Sequence, residues 1–233
     1  MRTDILRHGV AALICMLLAG AEAPVTLAQS TSGQPPAASA QPSATVEAVS
    51  IDGYRSARFG MSEAEVKKAI KTDLGGDAPA RVVNETERTT VLLASNRVLL
   101  PDSPPATLSY ILGASSAKLI QVNIVWGDNG GVDAKQIVPT ANALAAYFLE
   151  EGSYAKDSVV VNQGLPDGTA LVFRGADAKS RMVVLQLVPI APPADEKKPG
   201  KDKQVEFKKA MLRLSYIANP TKPDVFRIEK GKF

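Results

Sequence analysis

The stretch FGMSEAEVKKAIKTDLGG, residues 59–76, indicates the fold class of this chain. Ser62 and Glu65 have the spacing of a capping box, in which each side chain bonds to the other residue's main chain at a helix N-terminus. Met61 and Val66 stand at the two positions of a hydrophobic staple, which fixes the angle at which the chain enters the helix. A helix is therefore predicted to begin at Ser62.

The same stretch predicts where the helix ends and what it packs against. Its apolar residues recur at helical spacing, and the glycine pair 75–76 supplies a left-handed ending. A helix of about three turns is not stable alone in water and must lie against another element. The segments that follow have the composition of strands, so a helix on an antiparallel sheet is predicted. The apolar face consists of Val66, Ala69, Ile70 and Leu74.

The N-terminus has the pattern of an export signal. Arg2 and Arg7 precede an apolar run, residues 10–19, and small residues follow, with Ala23 or Ala28 as the expected cleavage points. The run is short of the roughly twenty apolar residues that a membrane span needs. We therefore expect a signal peptide over residues 1–28, a periplasmic or secreted bacterial protein, and no transmembrane span after cleavage.

Export would remove the two most reactive side chains of the protein. The only cysteine, Cys15, and the only histidine, His8, lie inside the predicted signal. The mature chain would then contain no disulfide, no thiolate nucleophile, no Cys/His zinc site and no Ser-His-Asp triad. Residues 29–50 are rich in Ser, Pro, Ala and Gln and predict a disordered linker.

Residues 51–233 are expected to form one α+β domain. A second helix is predicted after Asp133, with Gly152 ending it and Pro139 kinking it. Its apolar face is Ile137, Ala141, Leu144, Ala145 and Phe148. The predicted strands cover residues 87–94, 107–112, 119–126, 158–162, 169–174, 181–189 and 205–217.

The two halves of this domain show the same order of elements. Each has a capped helix followed by antiparallel strands, which predicts two repeats, residues 54–127 and 128–219, and a basic tail, residues 220–233. Such a pair usually forms one sheet with the helices on one face.

The first half resembles a known family. Phe59-Gly60-Met61-Ser62, the helix with Val66 and its glycine end, and Lys118-Leu119-Ile120 are similar to the helix-and-hairpin repeat of small bacterial envelope proteins. That repeat occurs in outer-membrane assembly lipoproteins and, in tandem, in the β-lactamase inhibitory protein. The resemblance covers about residues 54–127 and implies an envelope protein that binds another protein. The chain departs from these relatives because it is expected to have neither a lipidated cysteine nor disulfides. The resemblance implies no site residue in this chain.

Three patterns suggest chemistry, and each has a simpler explanation. Ser115 and Lys118 have the Ser-x-x-Lys spacing of some acyl-transferases, but they fall in a predicted hairpin turn without the partner motifs. The acidic turn at residues 128–133 lacks the ligand pattern of a calcium loop. Glu150 and Glu151 are adjacent on a helix and do not face each other. We therefore assign no catalytic residue, no metal and no cofactor, and no pattern suggests nucleic-acid binding.

Two features suggest an interaction surface. One is the aromatic and cationic cluster beside the first helix, because such side chains are enriched at the energetic centres of interfaces; anchoring in the core is the alternative for its aromatic members. The other is the lysine-rich loop at residues 191–203, within a segment, 196–233, of net charge +6. That loop is either an anionic-surface binder or a solvated segment. The candidate interface residues are Tyr54, Arg55, Arg58, Phe59, Lys197, Lys198, Lys201 and Lys203.

The sequence thus favours an exported, non-catalytic module that binds a protein partner in the envelope. Two alternatives remain open. One is an envelope hydrolase or transferase that uses Ser, Lys or carboxylates. The other is a module that binds anionic lipid or cell-wall polymer through its basic C-terminal segment.

Overall fold

The computed structural model describes residues 48–190, 208–228 and 231. All described residues belong to one compact unit, within Ala44–Phe233. The predicted signal, most of the predicted linker and the lysine-rich loop lie outside the described residues. Ala48, which the linker prediction includes, forms a bridge with Ser153.

The described part contains two helices and a large antiparallel sheet, as the α+β prediction required. The first half supplies β1 (Gly53–Tyr54), β2 (Ala57–Arg58), α1 (Glu63–Leu74), β3 (Ala80–Asn84), β4 (Thr89–Arg97), β5 (Ala106–Leu112) and β6 (Leu119–Trp126). The second half supplies β7 (Val132–Asp133), α2 (Ala134–Glu150), β8 (Val160–Gly164), β9 (Ala170–Ala176), β10 (Met182–Ile190) and β11 (Lys209–Ile217).

The strand order across the sheet is β3-β4-β5-β6-β11-β10-β9-β8, and β7 pairs separately with β11. The last strands of the two halves, β6 and β11, therefore pair with each other at the centre of the sheet. In this pairing Trp126 lies opposite Leu212, and on its other side it lies opposite Ala106 of β5. Side chains of both strands belong to the core cluster, among them Trp126 and Leu212.

The N-terminus of α1 is held as its sequence predicted. The Glu65 carboxylate accepts hydrogen bonds from the Ser62 amide and from the Ser62 hydroxyl, both over 2.7 Å. Val66 is buried, and Met61 packs against the core beside it. Gly75, with φ 61°, closes the helix by donating to the Lys71 carbonyl.

The helix α2 also follows its predicted pattern. The Asp133 side chain accepts from the Lys135 amide over 2.8 Å, which caps the first turn. Pro139 lies inside the helix without ending it. Four of the five predicted apolar residues are buried and Leu144 is half-buried. The buried residues of both helices join one core cluster with alternate side chains of the central strands. Neither helix has the length and apolar composition to cross a membrane, among the residues described.

Candidate functional site

A cleft of about 530 Å³ opens between the β1–β2 hairpin, α2 and the sheet. Its floor is made by side chains of the central strands, and its walls by the hairpin, by residues of α2 and by the loop after β4. Its volume falls in the roughly 300–1,000 Å³ range of ligand sites. The lining residues are Val49, Ser50, Ile51, Asp52, Gly53, Tyr54, Arg55, Arg58, Leu99, Leu100, Ile124, Trp126, Ala143, Leu144, Tyr147, Phe148, Glu151, Val183, Leu214 and Tyr216.

The hairpin over residues 53–58 forms one wall and is held in a defined shape. Gly53 has φ 143°, and a Cβ there would lie 2.1 Å from the Ala57 carbonyl oxygen. The Ser56 amide donates to Asp73 Oδ2 over 2.9 Å, which ties the hairpin to the end of α1. Only glycine at position 53 allows this close approach of the two strands.

The rim of the hairpin carries two exposed arginines. The Arg55 guanidinium lies over the Tyr54 ring, 5.3 Å from its centroid, and donates to the Asp73 main-chain carbonyl over 3.2 Å. Tyr54 in turn contacts Tyr216 on the floor, with 5.6 Å between ring centroids. Neither Arg55 nor Arg58 forms an ion pair within the part of the chain that the structure describes. No carboxylate of the described residues therefore neutralises Arg58, or Arg55, which keeps further N–H donors besides the one bound to Asp73.

The floor of the cleft contains the only tryptophan of the protein, Trp126. Its side chain is almost fully buried, at 1% exposure, and its Nε1 has no hydrogen-bond partner among the described residues. A buried donor left without an acceptor costs about 1–3 kcal/mol. The Trp126 indole thus carries a buried donor beneath the cleft.

The α2 wall ends in a small polar cluster around Glu151. Its carboxylate accepts from the hydroxyls of Tyr147 and Tyr154 over 3.3 and 3.4 Å. Burial raises the pKa of the Tyr147 hydroxyl, and the neighbouring Glu151 charge adds to this shift. Burial likewise raises the pKa of Tyr54. These tyrosines stay protonated at neutral pH, and Tyr147 donates a hydrogen bond to Glu151.

The remaining acidic residue of the rim, Asp52, is already paired. The Ser50 hydroxyl donates to it over 2.8 Å, and Arg181 forms an ion pair with it. These two hydrogen bonds hold the pKa of Asp52 below its usual value. Arg181 also contacts the buried Asp177, so the segment at residues 50–52 is fixed to the β9–β10 turn.

The structure brings three of the predicted interface residues together and separates the others. Tyr54, Arg55 and Arg58 line the cleft, whereas Phe59 does not. Tyr54 and Phe59 are both half-buried and pack against the core, as the core-anchoring alternative expects for the two aromatic members. Lys197, Lys198, Lys201 and Lys203 lie outside the described residues.

The motifs that suggested chemistry do not gather into a site. Ser115 and Lys118 are exposed in the β5–β6 turn, where the Ser115 amide donates to Asp224 Oδ1 over 3.0 Å. Glu150 is exposed, and Glu151 is engaged by the two tyrosines. No cluster of three or more His, Cys, Asp or Glu that could hold a metal occurs in the described ranges.

Sequence reasoning missed the floor and the second wall of the cleft. The sequence places Leu144 and Phe148 on the apolar face of the second predicted helix and Trp126 on the packed face of the strand over residues 119–126, and neither pattern indicates a cleft. The available signal was that Trp126 is a single tryptophan at a strand terminus, next to a glycine-rich turn. No protein-family profile, curated protein sequence or solved structure matches the chain at a significant level.

Proposed function

We propose that this protein is exported from a bacterial cell and acts in the envelope as a non-catalytic module that binds another protein. The basis for export is the N-terminal pattern of two arginines, an apolar run and small residues. The basis for partner binding is the cleft with its arginine and tyrosine rim.

The hairpin rim is the observation that carries this proposal. Arginine and tyrosine are enriched among the residues that dominate binding energy, and such residues surround apolar pockets that exclude water. Here Tyr54 packs against Tyr216 with the rings tilted, and the hairpin is tied to Asp73, so little conformational freedom is lost on binding. Tyr147 adds a second aromatic ring on the opposite wall, 55% exposed.

We also infer that the two halves of the domain are copies of one helix-and-sheet unit. Each half contributes a capped helix followed by four strands in sequential order, and the two final strands meet at the centre. This arrangement is the one expected when a unit that cannot bury its own apolar face pairs with a second copy.

Site-directed photo-crosslinking tests partner binding. A photoreactive amino acid replaces Ser56, which is exposed at the hairpin tip, or Lys156, which is exposed beyond α2. We expect a discrete crosslinked product in envelope extract from position 56 and none from position 156. Identical patterns from the two positions would refute a partner site at the hairpin.

A further inference from the structure

We infer that the cleft accepts an acidic, apolar peptide segment of the partner, with an apolar side chain inside the cleft and a carboxylate on Arg55 and Arg58. This inference rests on the proposed function, because it describes the chemistry of the partner at the same site. It rests on two properties of the cleft, which are its apolar lining and the cationic hairpin at its rim.

The depth of the cleft suits apolar side chains. The floor and the α2 wall are lined by Ile124, Leu214, Leu144 and Phe148, and the cleft has a volume of about 530 Å³. Filling such a space removes apolar surface from water at about 25 cal/mol per Å². A segment with bulky aliphatic or aromatic residues gains the most from entering it.

The cationic hairpin side of the rim suits an acidic segment. Asp52 is paired with Arg181, which also pairs with Asp177, and the Glu151 carboxylate accepts from two tyrosine hydroxyls on the α2 wall. Arg55 and Arg58 are exposed on the hairpin and form no ion pair in the described ranges. Guanidinium groups bind carboxylates in a two-pronged geometry, so an Asp or Glu beside the inserted side chain fits this rim.

Selection of short linear peptides on the mature protein provides the test. We expect enriched peptides to combine aromatic or aliphatic residues with an adjacent Asp or Glu. Peptides without tryptophan can then be titrated by fluorescence, because Trp126 is the only tryptophan and lies on the cleft floor. Binding should change its emission.

Two pairs of variants separate the cleft from the rest of the surface. Ala143→Phe blocks the cleft at an exposed lining position, and Ala146→Phe adds the same ring at an exposed position of α2 outside the lining. Ala143→Phe should weaken binding at least about tenfold, equal to about 1.4 kcal/mol. The matched variant Ala146→Phe should stay within about twofold of the wild type.

The second pair tests the charge. The double variant Arg55→Glu/Arg58→Glu should bind acidic peptides about tenfold more weakly or worse, because like charges then face each other. The control is the double variant Lys156→Glu/Lys222→Glu, which reverses the charge at two exposed lysines elsewhere. It changes the net charge by the same amount and should leave the affinity for the peptides nearly unchanged.

The outcomes distinguish this inference from the proposed function. Enriched peptides without acidic residues, or equal binding by the two phenylalanine variants, would overturn the inference. A co-purified amphiphile, detected by native mass spectrometry in the wild type but absent from Ala143→Phe, would assign the cleft to a small molecule and also overturn it. In each case a specific crosslink from position 56 would leave the partner-binding proposal standing.

Discussion

The main-chain amide of Ile51 donates a hydrogen bond to Asp177 Oδ2 over 3.0 Å, which joins the start of the domain to the β9–β10 turn. Asp177 Oδ1 accepts from the Lys179 and Arg181 amides, each over 2.9 Å. Its side chain is only 2% exposed and lies 2.7 Å from the Arg181 guanidinium. One buried carboxylate thus fixes both the turn and the segment that lines the cleft.

Replacing Asp177 by Ala should destabilise the domain by about 3 kcal/mol. The change removes the four hydrogen bonds that the Asp177 carboxylate accepts. It also takes the buried ion-pair partner away from the Arg181 side chain, which is only 14% exposed. Urea unfolding of the two proteins measures the difference. Asp157→Asn is the matched control, because Asp157 is exposed at φ 61°, where asparagine is equally accepted. If Asp177→Ala lowered the free energy of unfolding no more than this control does, Asp177 would not hold the turn and the N-terminal segment together.

The same carboxylate predicts a pH dependence of stability. Burial acts to raise the pKa of Asp177, but hydrogen bonds from Ile51, Arg181 and Lys179 outweigh it and hold the pKa below its usual value. Because the folded-state pKa is lowered, its contribution is complete above the roughly 3.9 of an unfolded aspartate and is lost as the pH falls through the folded-state pKa. The difference in unfolding free energy between wild type and Asp177→Asn should therefore shrink as the pH is lowered from 7 towards 3. A difference that is constant over this range would rule out the linkage.

The Ser62→Ala substitution should lower the stability by about 1 kcal/mol, since the variant loses the side chain that pairs with Glu65 at the start of α1. Thr72→Ala in the last turn of the same helix is the control. Thr72 is exposed and its hydroxyl bonds the Lys68 carbonyl over 3.0 Å, so alanine there should be neutral or slightly stabilising. Thermal or urea unfolding measures both variants, and equal effects would mean that the capping box does not stabilise the helix.

Gly53→Ala should deform the hairpin more than Gly60→Ala. Both glycines have positive φ, 143° and 86°, so each substitution costs backbone strain of about 1–3 kcal/mol. A Cβ at Gly60 meets nothing within 4 Å, whereas one at Gly53 would collide with the Ala57 carbonyl at 2.1 Å. We expect Gly53→Ala to reduce both stability and crosslinking from position 56. Retention of full crosslinking by this variant would show that the rim does not depend on the hairpin shape.

Short sequence patterns predicted the helices and strands whose ends or buried faces are marked by neighbouring residues. The capping box and the glycine pair located α1, and β6 was predicted over its observed range, Leu119–Trp126. The strand β3, Ala80–Asn84, was missed because it is an edge strand whose Val82 and Val83 are exposed, so no alternation marks a buried face. The hairpin strands were missed because two residues each are too short to show any period.

The cleft depends on contacts between residues that are far apart in the sequence. Tyr54 meets Tyr216 only after β11 has paired with β6, and no window of sequence contains both. The rim could therefore be predicted from composition, since Tyr54, Arg55 and Arg58 are close together in the chain. The floor and the α2 wall could not.

The central position of β11 determines when this domain can be completed during its synthesis. A ribosome releases the N-terminal half first, but the edge of β6 stays open until the residues of Lys209–Ile217 have emerged. Pairings between such distant segments form slowly, because a long loop must be closed before any contact is gained. A nascent chain that is still missing its final strand would therefore remain easy to unfold, the condition in which a polypeptide can be threaded through a narrow secretion pore.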